Sequence, residues 1–529
     1  MNKKIISSVM AAVLTFGICG CSEQSVDPVT EPVYDEPIIA SQLVEKEGRQ
    51  YIESNGVPYL FMGIQIRVDY LTRLEKQEPE KLERYFELAR GMNVTSVQIP
   101  IAWSDVEPEK DQYTSEVIDT YMGFCNKYDL KMEILWYGSN MCGSTEGGGR
   151  SAGTLENGSF YVDTSGHFTQ GHVPFYISID PDTYPRYPVR NTEWVFGRHY
   201  RLIPDAETTM EREAAAITYL MNAVWEYDRT HGGKRTVIGV QVENEPNMIY
   251  TYPDIVNEMS AAGVNLDEVK EATLRQLDVM GQAVKNSKYK TYTRVNLSMT
   301  GDHWDFAEKC AATEGIDFVG MDAYGYDSYV GLNGVIDDLQ AIPGNYANIP
   351  EMGGDYSNND ALQLLTFKKG GGYSVFELVS TTSEFFADWR YIALYTSDLN
   401  KNLWTDRLME ANAIFRGGAC ILASAKEEDF LAFNLLAQQN SEEMQTSSSC
   451  DVTWSTQSRG IAYAVEKDGY LLFASTQADT MQIEGVLMDQ IEFGIYDSFG
   501  KWQKDGDANG FSSNKIILEP GRIYRAKIG

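Results

Sequence analysis

Histidine is scarce in this 529-residue chain: there are five, dispersed, with no His-Glu-x-x-His pair. Neither a metal-dependent mechanism nor a bound cofactor is therefore expected. Cysteine is nearly as thin. Beyond Cys19 and Cys21 only Cys125, Cys142, Cys310, Cys420 and Cys450 occur. Their odd number and wide spacing exclude a disulfide framework and a zinc ligand set. Basic residues are outnumbered, with 44 Lys and Arg against 76 Asp and Glu, for a net charge of −32. So acidic a surface repels nucleic acid and anionic membranes and suits a neutral substrate. No Gly-x-Gly-x-x-Gly follows a strand-like run, so a dinucleotide-binding open sheet has no support. After the N-terminal segment, no run is long and apolar enough to cross a bilayer.

What the chain does contain is regular. Residues 38–66 read as strands, with turns at Glu47-Gly48 and Asn55-Gly56. Short apolar, β-rich runs recur at 59–66, 94–101, 131–137, 236–242, 290–298, 316–322, 347–351 and 373–379. A helical pattern follows each. In the first of these helices Leu82, Tyr85, Phe86 and Ala89 share a face, and Gly91 supplies the stop. Alternation of strand and helix predicts a parallel sheet, and eight units predict a closed (β/α)8 TIM barrel over residues 38–425. A doubly wound open sheet is the alternative architecture. One irregularity stands out: 138–204 has no sustained period and should lie over the carboxyl ends of the strands. From 426 to 529 the pattern changes to apolar–polar alternation, with turns at Lys467-Asp-Gly469 and Asp505-Gly506. That predicts a C-terminal antiparallel β-domain, either a packing module or a carbohydrate binder.

The run Thr236 to Val242 ends abruptly in Glu243, Asn244 and Glu245, and Pro246 stops further pairing. Two carboxylates and an amide closing a buried parallel strand are costly unless they face a polar cleft. In barrel enzymes catalytic residues sit at that end of the strand. Gln241-Val-Glu-Asn-Glu245 resembles the acid/base motif at the end of strand four in retaining glycoside hydrolases of the large TIM-barrel clan. It is most similar to family 35 β-galactosidases and their relatives in Bacteroidetes. The resemblance implies that Glu245 is the proton donor and that Asn244 contacts the sugar 2-hydroxyl. Where that family continues with Tyr-Gly, this chain has Pro246-Asn247, as in the Asn-Glu-Pro of other families in the clan. Trp103-Ser-Asp-Val-Glu-Pro108 resembles the clan's Trp-Ser-x-x-Glu-Pro, which places Glu107 in a structural turn.

The clan's second carboxylate comes from strand seven, and counting strands from Tyr59 makes it Glu351, just before Met352 and two glycines. Two other carboxylates compete for the nucleophile role. Glu377 on strand eight would take it if the count were off by one. Glu243 is expected on the same face as Glu245 but a layer deeper, holding a neighbour by hydrogen bonds. Tyr324, after strand six, is placed to hydrogen-bond the nucleophile, while Trp103 and Trp136 are expected to wall a sugar subsite. Tyr161, Phe168, Phe175, Tyr176, Tyr184, Tyr187 and Trp194 of the long loop could stack on sugars or form the loop's own core.

Lys3 and Lys4 precede an apolar stretch from Ile5 to Ile18, too short to span a membrane, and Ile18-Cys-Gly-Cys21 resembles a lipobox. Residues 1–21 are accordingly expected to be a lipoprotein signal peptide and Cys21 the lipidated residue. Residues 22–37 are expected to be a polar tether. Its Glu23, Asp27 and Glu31 resemble the export tethers of Bacteroidetes lipoproteins, which implies an outer-membrane lipoprotein touching membrane only through its anchor. The expected activity is retaining hydrolysis of β-linked neutral oligo- or polysaccharides, β-galactosides first. Two alternatives stand beside it: a β-mannan or β-xylan endo-hydrolase, and a non-catalytic glycan-binding lipoprotein on a degenerate barrel.

Overall fold

Eight short parallel strands close into a barrel in the computed structural model. They are β1 (Met62–Gln65), β2 (Ser96–Ala102), β3 (Lys131–Tyr137), β4 (Val237–Val242), β5 (Tyr292–Ser298), β6 (Phe318–Asp322), β7 (Asn348–Ile349) and β8 (Gly372–Val375). The ring closes where β8 pairs with β1, Tyr373 opposite Met62. The described residues are 36–70, 79–139, 143–144, 172–178, 180–187, 191–194, 197–200, 202–380, 392–435, 441–508 and 514–529. The expected signal peptide with Cys21, the tether up to residue 35, Tyr161, Phe168 and the side chains of Phe175 and Trp194 fall outside them.

The strands are apolar runs because both of their faces are covered. All seven residues of β2 are buried, and so are all seven of β5. Each strand is followed by a helix: α1 (Pro79–Gly91), α2 (Glu116–Tyr128), α3 (Glu207–Thr230), α4 (Leu266–Lys285), α5 (His303–Ala311), α6 (Tyr329–Ala341), α7 (Asn359–Lys368) and α8 (Thr405–Gly417). In α1 a proline opens the helix, and the expected stripe of Leu82, Tyr85, Phe86 and Ala89 is the buried face. The last barrel helix is in two pieces: α8 ends at Gly417 and a second piece runs Ala419–Ser424. A Cβ at Gly418 would lie 3.0 Å from Leu472 and from the Tyr463 hydroxyl. The helix breaks where the C-terminal domain packs against it. Strand seven is likewise shorter than its apolar run, since Pro350 has no N–H to pair.

Antiparallel strands Ser41–Lys46, Arg49–Ser54 and Val57–Tyr59 cover the amino end of the barrel. Both residues of each turn are left-handed: Glu47 and Gly48 (φ 56° and 76°), Asn55 and Gly56 (57° and 74°). The C-terminal domain has a six-stranded and a four-stranded antiparallel sheet around Trp454, Phe473 and Tyr524. It meets the barrel through the Tyr463 hydroxyl, which donates to Ile414 O (2.9 Å), and Arg459, which donates to Ser357 O (2.9 Å). In the described part of the long loop, Tyr176 and Tyr184 pack edge to face, and the Arg212 Nε donates to the Tyr176 hydroxyl at 2.8 Å. Those two rings belong to the loop's own packing.

The barrel interior is polar where aliphatic layers are usual. Arg294 and Glu133, both fully buried, pair through two hydrogen bonds of 2.7 and 2.5 Å. Gln98 and the Tyr292 hydroxyl also donate to Glu133, each at 2.8 Å. That fork-on-carboxylate geometry with both acceptor oxygens filled is what allows an ion pair to persist out of water.

Candidate active site

The chain leaves β4 through a turn that is unusual for residues with side chains. Glu243 (φ 62°) and Glu245 (φ 43°) both occupy the left-handed region. Such backbone costs on the order of 1–3 kcal/mol per residue and persists only where neighbours hold it. Here β5 does so. Asn296 Oδ1 accepts the Glu245 N–H at 3.1 Å, and Asn247 exchanges two hydrogen bonds with the Ser298 backbone, of 2.8 and 3.1 Å. The turn also undoes the two-residue alternation of the strand. Glu243 does not share a face with Glu245 as expected. Its carboxylate accepts from Gly138 N (3.1 Å) and from Gln276 of α4 (2.8 Å).

Glu245 is left partly exposed at the carboxyl end of the barrel. Near it lies Glu351, two residues beyond β7 and 7 % exposed. Each Glu351 oxygen has a donor: Gln65 Nε2 from the end of β1 at 2.7 Å, and the Tyr324 hydroxyl after β6 at 2.8 Å. Burial raises the Glu351 pKa, while Tyr324, Arg67 and Gln65 pull it back. Glu245 is treated differently. Burial first, then the Glu351 charge, push it up to about 8, with Ser298 and Arg67 opposing. Burial thus raises both carboxyls, with the Glu351 charge adding to it at Glu245 and hydrogen-bond donors opposing it at Glu351. Arg67 supplies positive charge to the mouth from beside Tyr137 and Phe376, itself held by two bonds to Asp69 of 2.9 and 2.6 Å.

Asn244 is oriented from two sides. Arg294, which can only donate, gives Nη1–H to Gln241 Oε1 at 2.6 Å. Gln241 therefore offers its Nε2 to Asn244 Oδ1, at 3.2 Å. On the other side Asn296 accepts the Glu245 N–H with its oxygen, so its Nδ2 donates to Asn244 Oδ1 at 2.9 Å. With its oxygen twice occupied, Asn244 presents its NH2 as the remaining hydrogen-bonding group.

The second Nδ2 hydrogen of Asn296 goes to Asp322 Oδ2, at 2.7 Å. Asp322 ends β6 and is a third carboxyl beside Glu245 and Glu351, whose charges add to burial in raising its pKa well above the usual range. Sequence reasoning missed it. The signal was present all the same: Phe318-Val-Gly-Met-Asp322 is an apolar run closed by a carboxylate, as 236–243 is. Gln65, Arg67, Asn296 and Arg294 were also missed.

Trp103 and Trp136 do not wall a subsite. Both are fully buried, with their indole N–H groups turned to Glu107 (3.0 Å) and Glu213 (2.9 Å). Buried indoles need an acceptor, and these carboxylates supply it away from the mouth. Glu107 also accepts the Asp111 N–H and pairs with Arg212, which makes it a turn residue. Glu377 is fully buried just past β8. Among the described residues, no group of three or more His, Cys, Asp or Glu is arranged to hold a metal ion.

A protein-family model described as "Domain of unknown function (DUF4978)" matches residues 273–440, from inside α4 to just past the first strand of the C-terminal domain. Comparison with curated proteins gave no match. Among solved structures, the chain is similar to an exo-β-1,4-mannosidase from an Opitutaceae bacterium (TM-score 0.48, 11% identity), over 73% of this chain and 64% of that one. It thus spans less than two thirds of that enzyme's length. A family 39 glycoside hydrolase from the gut symbiont Bacteroides cellulosilyticus matches over 93% of this chain and 88% of its own (TM-score 0.41, 12% identity). Endo-glycoceramidase II from Rhodococcus sp. matches over 90% and 99% (TM-score 0.45, 11% identity). Likeness at this level assigns no chemistry, which rests on the residues of this chain.

Proposed function

We propose that the chain is a retaining glycoside hydrolase with Glu351 as nucleophile and Glu245 as acid/base. The observation that carries this is the pair of neighbouring carboxyls just beyond β4 and β7, one with a donor on each oxygen, the other pushed up to about 8. A nucleophile must be ionised, and the donors on Glu351 favour that form. A proton donor must still hold its proton near neutral pH, and burial beside Glu351 favours that form of Glu245. Glu351 attacks the anomeric carbon while Glu245 protonates the departing oxygen. In the glycosyl-enzyme Glu351 is an ester without charge. One cause of the raised Glu245 pKa is then gone, so Glu245 gives up its proton more readily and acts as base towards the incoming water. The Asn244 NH2, left over by the bonds to its oxygen, is the group that would donate to the sugar 2-hydroxyl.

The substrate class is a β-linked neutral glycan, with β-galactosides the leading choice. A net charge of −32 disfavours acidic sugars. Delivery as an outer-membrane lipoprotein anchored at Cys21 is part of the same proposal, motivated by Lys3, Lys4 and Ile18-Cys-Gly-Cys21. The activity is tested with a panel of 4-nitrophenyl glycosides and two variants. Glu351→Ala should abolish turnover, with azide restoring it as the glycosyl azide of inverted configuration. Glu245→Ala should keep the first step on such good leaving groups, and azide should then give the retained product. Exchanged stereochemistry would exchange the roles, and no turnover on any glycoside would end the proposal.

A further inference from the structure

Asp322 has no place in that two-carboxylate scheme, yet it is 2 % exposed and sits beside both members of it. Its Oδ2 accepts one hydrogen bond, from Asn296 Nδ2 at 2.7 Å, while its Oδ1 is buried with no partner among the described residues. An ionised carboxylate out of water needs donors on both oxygens or a cation of its own. Asp322 has neither. Arg294, on the neighbouring β5, is already engaged by Glu133 and Gln241, and Arg67, at the end of β1, is engaged by Asp69. The other ionisable groups around it are Glu351 beyond β7, Glu245 beyond β4 and Tyr324 two residues on. Two of these are acids that disfavour a third charge. A proton on Oδ1 removes the buried charge without disturbing the bond to Asn296.

We propose that Asp322 is a positioning residue that works in its un-ionised form: it anchors Asn296, and through it Asn244 and the Glu245 backbone, without adding charge to the mouth. The linkage is direct, because the Asn296 amide spends one Nδ2 hydrogen on Asp322 and the other on Asn244, and its oxygen on the Glu245 N–H. Without the Asp322 acceptor, one of those amide hydrogens is left buried and unpaired, and the amide is free to turn. Protonation matters as much as position. A charged Asp322 would hold the proton of Glu245 still more tightly and oppose the ionisation of Glu351. The proposal rests on the reading of Glu245 and Glu351 as acid and nucleophile only for its consequences in turnover; the protonation state of Asp322 stands apart from it.

The test uses the full chain with the Asp322→Asn variant, in which the amide oxygen can still accept from Asn296 and the NH2 replaces the acid O–H. The infrared difference spectrum of wild type minus D322N at neutral pH should contain the carbonyl band of an un-ionised carboxylic acid. Its absence would overturn the proposal. The titration midpoint of Glu245, followed by carboxyl-carbon NMR and assigned with E245Q, should be the same in D322N as in wild type. An ionised Asp322 would instead make D322N lower that midpoint by ~1 unit or more, and this too would overturn it. In turnover of the best nitrophenyl glycoside, Asp322→Ala should lose roughly tenfold or more in kcat, and D322N should recover most of the loss. Equal losses in D322N and D322A would mean that charge is what matters, against the proposal. If wild type hydrolyses no glycoside, the functional reading fails, while the infrared and NMR measurements still decide the state of Asp322.

Discussion

Replacing Glu245 by glutamine should make the protein more stable at alkaline pH, and the gain should grow as pH rises. Glu245 moves from an ordinary 4.5 to about 8 on folding. Between those values the folded chain holds a proton that the unfolded chain has released. The contribution of this group is therefore fully present below 4.5 and is lost as pH climbs through 8. At 1.36 kcal/mol per unit the full gap corresponds to at most ~5 kcal/mol, and partial exposure of the side chain brings the expected effect to about 2–3 kcal/mol. The amide of the E245Q variant has no proton to lose. It also removes a like charge from beside Glu351, a change of the same sign. Calorimetric melts of both proteins at about pH 5 and about pH 8.5 would show it, as a Tm advantage of E245Q that widens by several degrees at the higher pH. An advantage that is constant, or that shrinks as pH rises, would refute the raised pKa and with it the assignment of Glu245 as the acid.

Three further outcomes are expected. Asn296→Ala should cost roughly 10–100-fold in kcat/KM, because it removes a donor to Asn244 and the acceptor for the Glu245 N–H; Asn296→Asp, which can still accept that N–H but cannot donate, should fall in between, and wild-type kinetics in N296A would contradict the orienting role. Arg294→Met alone should destabilise by about 3–5 kcal/mol by stranding Glu133, and R294M/E133M should recover much of the loss; equal melting temperatures for the single and double variants would contradict a stranded charge. Cys21→Ala should release the protein from the membrane fraction without changing turnover, with intact-mass spectrometry of the wild type showing an N-terminal lipid; a wild-type mature chain without lipid mass would remove the anchor.

Most of the architecture was legible in the sequence because it is written in local periodicity. Alternating apolar runs and helical stripes recur eight times, and counting them was enough to predict a closed parallel barrel with an antiparallel domain after it. The acidic end of β4 was legible for a related reason: polar groups interrupting a buried strand are costly enough to mark a cleft. The same rule applied to β6 would have marked Asp322. Other features were decided only by tertiary structure. The left-handed turn at Glu243 and Glu245 is held by Asn296 and Ser298, some fifty residues away, and that turn sends Glu243 out of the mouth against its strand period. Trp103 and Trp136 were plausible sugar platforms by position, but both are buried, with Glu107 four residues on accepting from the first and Glu213 of α3 from the second. The orientation of Asn244 depends on a guanidinium inside the barrel acting through Gln241. Hydrogen bonds of this kind join side chains from different strands, and one-dimensional spacing carries no trace of which donor will meet which acceptor once the barrel has closed.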